Sequence, residues 1–190
     1  MTAIRVLGIS GSLRAASNNT KLLRAAAGLA GEGVRLHLWD DLRLVPPFSE
    51  DDEREPARPV QALRLAIAGA DALLIATPEY NGSIPGQLKN AVDWVSRPYG
   101  DAVLTGKPVA VVGASPSPSG AAGAQAELRK VLGRAGARVL DGELSIARAH
   151  EAFGPDAALR DPELSRALSA VLDDLQQAGS TTSIQVAAHG

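Results

Sequence analysis

Short apolar runs alternate along the chain with longer stretches in which apolar positions recur every three or four residues. The runs are Ile4–Ile9, Val34–Leu38, Ala72–Ala76, Val109–Val112 and Arg138–Leu140 with its continuation. Runs this short, without alternating polarity, predict strands buried on both faces. The stretches Asn19–Ala30, Arg58–Ala68, Gly86–Ser96, Ala122–Ala135 and Pro162–Ala178 are rich in alanine and leucine at helical spacing. Strand–helix alternation of this kind predicts an α/β fold, a parallel sheet covered by helices on both faces. Five strands rather than six favour a flavodoxin-like three-layer arrangement with strand order 2-1-3-4-5. Ligands of such sheets bind beyond the carboxyl ends of the strands, near the point where the strand order reverses. The loops after Ile9, Ala76 and Val112 are therefore the places to look for function.

Composition narrows the classes. The chain has 190 residues, enough for one domain with a full core, and residues 1–178 read as that domain. Gly179–Gly190 is polar with no apolar face and is expected to be a frayed, disordered tail. Leu44–Pro59 is rich in proline and acid; it reads as a solvated connection rather than an acidic docking site. With 21% charged residues and a net charge of −2, the chain does not have the basic balance of a nucleic-acid binder. Phe, Trp and Tyr occur twice each, too few for a base-stacking surface. No apolar stretch approaches the roughly 18 residues of a membrane span. The N-terminal residues lack a signal-peptide pattern, so the expected compartment is the cytoplasm. The absence of cysteine excludes disulfides, thiolate nucleophiles and cysteine-ligated metal centres. His37, His150 and His189 are too dispersed in sequence to suggest a metal pair. Any redox chemistry must then be carried by a bound group.

The first loop, Ser10 to Thr20, joins a strand to a helix and is dense in hydroxyls and amides. A helix N-terminus offers unpaired N–H groups and a partial positive charge, which suit a phosphate. Ser12, Ser17, Asn18 and Asn19 add side-chain donors and Arg14 a charged one. Neither GxxxxGK[ST] nor GxGxxG is present, which disfavours a nucleoside triphosphate or a dinucleotide diphosphate here and leaves a phosphate monoester. For any one residue, a simple helix cap at Ser17 or Asn19 explains the pattern; the whole cluster favours an anion site. In the second loop, Pro78, Glu79, Tyr80, Asn81 and Gly82 precede Pro85-Gly86. Two readings are open: a rigid pocket whose backbone groups hold a flat heterocycle, or a proline-rich turn with Asn81-Gly82 at its corner. The third loop, Gly113 to Gly123, is small and polar and suits either close approach to a ligand or a mobile lid.

Ser12-Leu13-Arg14-x-x-Ser17-x-Asn19 and Pro78-Glu79-Tyr80-Asn81-Gly82-Ser83-x-Pro85-Gly86-x-Leu88-Lys89-Asn90-Ala91-x-Asp93-Trp94 resemble the NAD(P)H-dependent FMN reductase family, which includes quinone, chromate and azo reductases. The resemblance covers about residues 4–178, with Ser96-Arg97-Pro98 and Gly106-Lys107-Pro108 also fitting. It implies that Ser12 to Asn19 hold the phosphate of FMN. Pro78, Glu79, Tyr80, Asn81 and Gly82 would line the isoalloxazine, and Ser115 would touch the ring from the other side. Pro116 and Pro118 stiffen the third loop relative to the family's glycine-rich form. The resemblance further implies a homodimer or homotetramer with Arg97 and Tyr99 at its interface. NADPH or NADH would give a hydride to flavin N5, and a quinone, chromate, azo compound or free flavin would take the electrons. No side chain is then required as a catalytic acid or base. Arg97 has two readings, a guide for NADPH phosphates or a partner in a salt bridge. Trp94 reads as core. The rival functions are a non-enzymatic electron carrier, which the weak net charge does not favour, and a flavin-binding regulatory protein.

Overall fold

The computed structural model describes residues 3–187. Its sheet has five parallel strands: β1 (Ile4–Ser10), β2 (Val34–Trp39), β3 (Ala72–Thr77), β4 (Pro108–Ala114) and β5 (Arg138–Ile146). They lie in the order β2-β1-β3-β4-β5, as the strand count predicted. The order reverses between β1 and β3, which pair in parallel from Val6–Ala72 to Ser10–Ala76.

Alternate residues of the central strands enter two separate cores. Val6, Ala72, Leu74, Ala76, Ala110 and Val112 face helices α1 (Asn18–Leu29) and α6 (Pro162–Ala187). Leu7, Ile9, Leu73, Ile75, Val109 and Val111 face α2 (Arg58–Ala68), α3 (Gly86–Val95) and α4 (Ala122–Arg134). A short helix, α5 (Ala149–Ala152), follows β5. Leu168, Val171, Leu172 and Leu175 are the buried stripe of α6, at the spacing one helix face requires.

Three expectations need correction. β3 and β4 are buried along their whole length, but the edge strands β2 and β5 are not. Short apolar runs look alike at the centre and the edge of a sheet; only pairing tells them apart. The last helix does not stop at Ala178 but continues to Ala187. Gly179 lies so close to the sheet that a Cβ there would come within 3.1 Å of Ile4 Cδ1. Beyond it, Ser180 and Thr181 donate their hydroxyls to the carbonyls of Gln176 and Gln177. The tail at residues 188–190 lies outside the described residues.

The third correction concerns the acidic connection, whose first half is docked rather than solvated. Pro46 O accepts from Trp94 Nε1 at 2.8 Å and from Asn90 Nδ2 at 2.9 Å, and Gln87 Nε2 donates to Leu42 O and Val45 O. Phe48 meets Trp94 edge-on, 5.0 Å between ring centres. Trp94 itself is core, 1% exposed. α3 thus presents a polar row that satisfies loop carbonyls, while its other face fills the core. The register of β4 with β5 is interrupted between Val109 and Val111. There the Arg129 guanidinium donates to the carbonyls of Leu140, Gly142 and Val111. Burial pushes the pKa of Arg129 down, with Glu143 and Asp141 opposing the shift.

Candidate functional site

The loops after β1, β3 and β4 come together at the carboxyl edge of the sheet, across the reversal of strand order. Gly11 makes the first junction. Its N–H donates to Ala76 O at 2.8 Å, and a Cβ on it would come within 2.7 Å of Leu88 Cδ2 and 3.4 Å of Pro78 Cδ. A side chain there would have to displace the end of Leu88 in α3, so the close approach of the first loop to β3 and α3 runs through this glycine.

In the first loop, Ser17 is the N-cap of α1, with extended backbone and its hydroxyl accepting from Thr20 N at 3.1 Å. The first helical hydrogen bond runs from Lys21 N to Ser17 O. The N–H groups of Asn18 and Asn19 therefore precede the helical ladder and have no acceptor among the described residues. Arg14 is exposed beside them and makes no ion pair among the described residues. The hydroxyl of Ser12 is likewise uncommitted, whereas Ser10 is tied to Ser12 N and Thr20 Oγ1. Asn19 departs from its predicted use as a side-chain donor to an anion. Its buried amide is bonded twice to Ala114, Nδ2 to O at 2.9 Å and Oδ1 from N at 3.0 Å. The side chain bolts α1 to the end of β4; its backbone N–H stays available.

The second loop resolves in favour of a turn that also presents a surface. Tyr80 and Ser83 exchange two backbone hydrogen bonds of 3.1 Å across Asn81 (φ 53°) and Gly82 (φ 75°). Both central residues are left-handed, the type I′ hairpin for which Asn-Gly is the preferred pair. Asn81 and Gly82 form the exposed tip, and the ring of Tyr80 is 47% exposed beside them. A Cβ on Gly82 would meet nothing within 4 Å, so its need is for backbone conformation alone. Glu79 is turned away from the tip: its Oε2 accepts from Ala124 N at 3.0 Å in the first turn of α4. A Cβ on Gly123 would come within 2.9 Å of that oxygen.

The third loop is closed on itself. Ser115 Oγ accepts from Ser117 N at 3.2 Å and from Ser117 Oγ at 3.0 Å, and Ser117 Oγ meets Ser119 Oγ at 2.9 Å. Ser115 N donates to Ile146 O and Ser115 O accepts from Ala149 N. Gly120 (φ 58°) passes under the end of β5, where a Cβ would come within 2.8 Å of the backbone carbon of Ser145. The buried Gln125 completes the clamp, donating to Ser145 Oγ at 2.7 Å and Gly120 O at 3.3 Å. Sequence reading missed Gln125, which looks like any polar helix residue until β5 is placed beside it. Of the residues expected at an interface, Tyr99 is 89% exposed. Arg97 pairs with Glu53 at 2.9 Å and lies over the Phe48 ring, a contact of the kind its salt-bridge reading expected.

The sequence profile of the NADPH-dependent FMN reductase family matches residues 4–151. The chain belongs to that family. It is 42% identical over 175 residues to an NAD(P)H-dependent FMN reductase of Pseudomonas aeruginosa, covering 91% of this chain and 94% of the relative. It is 43% identical over 129 residues to a 2-hydroxy-1,4-benzoquinone reductase of Burkholderia, 68% of this chain and 70% of that one. Among solved structures, the flavoenzyme NAD(P)H:(acceptor) oxidoreductase of Paracoccus denitrificans superposes with a TM-score of 0.86 at 35% identity, covering 94% and 98% of the two chains. A variant of the flavodoxin of Pseudomonas aeruginosa superposes with a TM-score of 0.56 at 16% identity, covering 93% and 99%, and shares the fold. The residues present fit the family's flavin. Two N–H groups and a guanidinium at a helix N-terminus have no acceptor among the described residues, and a phosphate would supply one. The open tip at Asn81-Gly82 gives a flat ring unobstructed access to backbone.

Proposed function

We propose that this protein is an FMN-dependent NAD(P)H oxidoreductase that reduces quinone-type acceptors. The observation that carries the reading is the pair of N–H groups at Asn18 and Asn19, without a partner among the described residues and set beside Arg14, at the same carboxyl edge of the sheet as the exposed turn at Asn81-Gly82. The relatives named as FMN and quinone reductases supply the class of reaction. Asn18 and Asn19, through their backbone, would hold the flavin phosphate together with Arg14 and the hydroxyl of Ser12. Ser17 keeps the helix end in the shape that exposes those donors. Tyr80, Asn81 and Gly82 would flank the ring, and Pro78 and Glu79 hold that turn in place, Glu79 by its bond to α4. Ser115 would close the ring site from the β4 side.

The chemistry supplied by bound FMN is two-electron transfer from NAD(P)H to the acceptor. What the chain supplies is position and charge. The backbone N–H groups of Asn81 and Gly82 at the turn would stabilise negative charge on the bound ring without reorganising. In this reading no side chain is needed as an acid or base, and the protein's part is to hold, orient and leave one face open for donor and acceptor in turn.

The same reading makes the protein a cytoplasmic homodimer or homotetramer. Tyr99 supports it: the exposed ring borders a groove of about 470 Å3 between α3 and α4, with Val92, Ala102 and Val131 in its wall. Light scattering that gives a monomer at micromolar concentration would remove this part. The function itself is tested by rapid mixing of the flavin-loaded protein with NADPH. Bleaching of the flavin absorbance, followed by reoxidation on adding benzoquinone, is expected. A flavin that NADPH leaves oxidised would overturn the reductase and favour an electron carrier.

A further inference from the structure

The first loop and the start of α3 are joined by a piece of chain that belongs to neither. After β2 the chain makes a 3-10 turn at Asp41–Leu44, closed by Val45 N donating to Leu42 O at 3.3 Å. Leu42 and Val45 are buried in the core that also holds Leu88 of α3. Gln87, in the first turn of α3, donates its amide nitrogen to Leu42 O at 2.9 Å and to Val45 O at 2.7 Å. Both hydrogens of that amide are thus spent on this one turn. α3 begins at Gly86, directly after the second loop, so the turn is anchored to the element that carries the proposed ring surface. The anchors lie on either side of Arg43.

Arg43 reaches the first loop. Its Nη2 donates to Leu13 O at 2.6 Å, across 30 residues of chain. Leu13 stands between Ser12 and Arg14, the two side chains assigned to the phosphate. Among the described residues, the other hydrogen bonds of residues 12–16 are local, between Ser12 and Ser10 Oγ and from Ser17 N to Arg14 O. A segment with local bonds alone can reorient as a unit. Holding it in the binding conformation before the ligand arrives removes part of the ordering cost of binding.

We propose that Arg43 and Gln87 are positioning residues for the flavin phosphate. Gln87 holds the turn, the turn aims Arg43, and Arg43 fixes the Leu13 carbonyl so that the flanking Ser12 and Arg14 face one anion. The inference rests on the phosphate site proposed above and deepens it. It makes one demand that a simpler use of Arg43 does not. A guanidinium acting by its own charge on the phosphate needs nothing from Gln87, whereas a strut fails at either end.

The test compares Arg43→Ala, Arg43→Lys, Gln87→Met and the double variant Arg43→Ala/Gln87→Met. Each is titrated, flavin-free, with FMN and with riboflavin, which lacks the phosphate, by quenching of flavin fluorescence. Titrations run where circular dichroism shows every variant folded. Arg43→Ala is expected to weaken FMN by about threefold to tenfold and riboflavin by less than about twofold, with Arg43→Lys restoring most of the loss. Gln87→Met is expected to weaken FMN selectively as well. The double variant should lose little more than the worse single variant, because both break one strut. If Gln87→Met leaves FMN untouched, or if the two losses multiply in the double variant, Arg43 acts alone and the strut is overturned. If riboflavin weakens as much as FMN, the bonds merely hold the fold together and the proposal is again overturned. In these cases a wild-type preference for FMN over riboflavin leaves the phosphate site standing. If wild-type protein shows no such preference, the phosphate site falls and the strut with it.

Discussion

The first and third loops have similar composition and opposite roles. Both are short, rich in serine, and leave a buried strand for a helix. In the first, the backbone N–H groups of Asn18 and Asn19, the Arg14 guanidinium and the Ser12 hydroxyl have no partner among the described residues. In the third, Ser115, Ser117 and Ser119 bond one another, Gln125 clamps Gly120, and little is left over. The difference is one of satisfaction, not of residue type. A polar group already paired is structure; a polar group held in place without a partner is a binding site. Asn19 belongs to both categories, its side chain paired and its N–H open.

The largest way to break that contrast is to open the closed loop. Gly120→Ala places a Cβ against the backbone of Ser145 and Ala147 in a left-handed conformation. The conformational and packing costs together predict roughly 2–5 kcal/mol of lost stability. Urea unfolding measures it, and a loss below about 0.5 kcal/mol would remove the tight passage under β5. Next, Asn19→Ala strands the buried N–H and C=O of Ala114 and should cost roughly 2–4 kcal/mol of stability. Flavin affinity should fall less than stability does, since the backbone N–H remains. A variant as stable as the wild type would show that Ala114 finds other partners.

Arg14→Ala should do the reverse. It should weaken FMN binding by roughly 1.5–3 kcal/mol while leaving the urea midpoint in place. Unchanged FMN affinity in a titration excludes Arg14 from the phosphate site.

The smallest effect lies away from both loops and serves as their control. The ammonium of Lys107, held at 2.6 Å from Ala70 O, has its pKa pushed below 10.5 by burial, with nearby Asp71 opposing the shift. Between its folded pKa and 10.5 the unfolded chain binds the proton more tightly, so stability contributed at this position rises with pH through that window. In Lys107→Met the rise should vanish, as paired urea titrations at neutral and alkaline pH will read. A rise of equal size in the variant assigns it to another group.

Much of this was legible in the chain. The five apolar runs and intervening helical stretches predicted every strand of the sheet, and the strand count predicted its order. Asn81-Gly82 announced its turn, because few residue pairs accept two successive left-handed conformations. The uses of Glu79, Gln125 and Arg129 were not legible. Each is a polar residue of ordinary appearance whose partner is distant in sequence, at Ala124, Ser145 and Val111. The docking of Pro46 and Phe48 onto α3 was hidden for the same reason, under a stretch whose proline and acid content reads as solvent-exposed.

The sequence by itself determined the fold, the family and the three loops that matter. Periodicity, turn chemistry and motif spacing are local properties, written in consecutive residues. Only the tertiary structure decided which polar groups of those loops are free. Satisfaction is a relation between distant atoms: the Asn19 side chain is spent on Ala114, Glu79 on α4 and Arg97 on Glu53, while Asn18 N–H and Arg14 have no such partner among the described residues. Packing brings those partners within hydrogen-bonding reach, and no run of neighbouring residues records it.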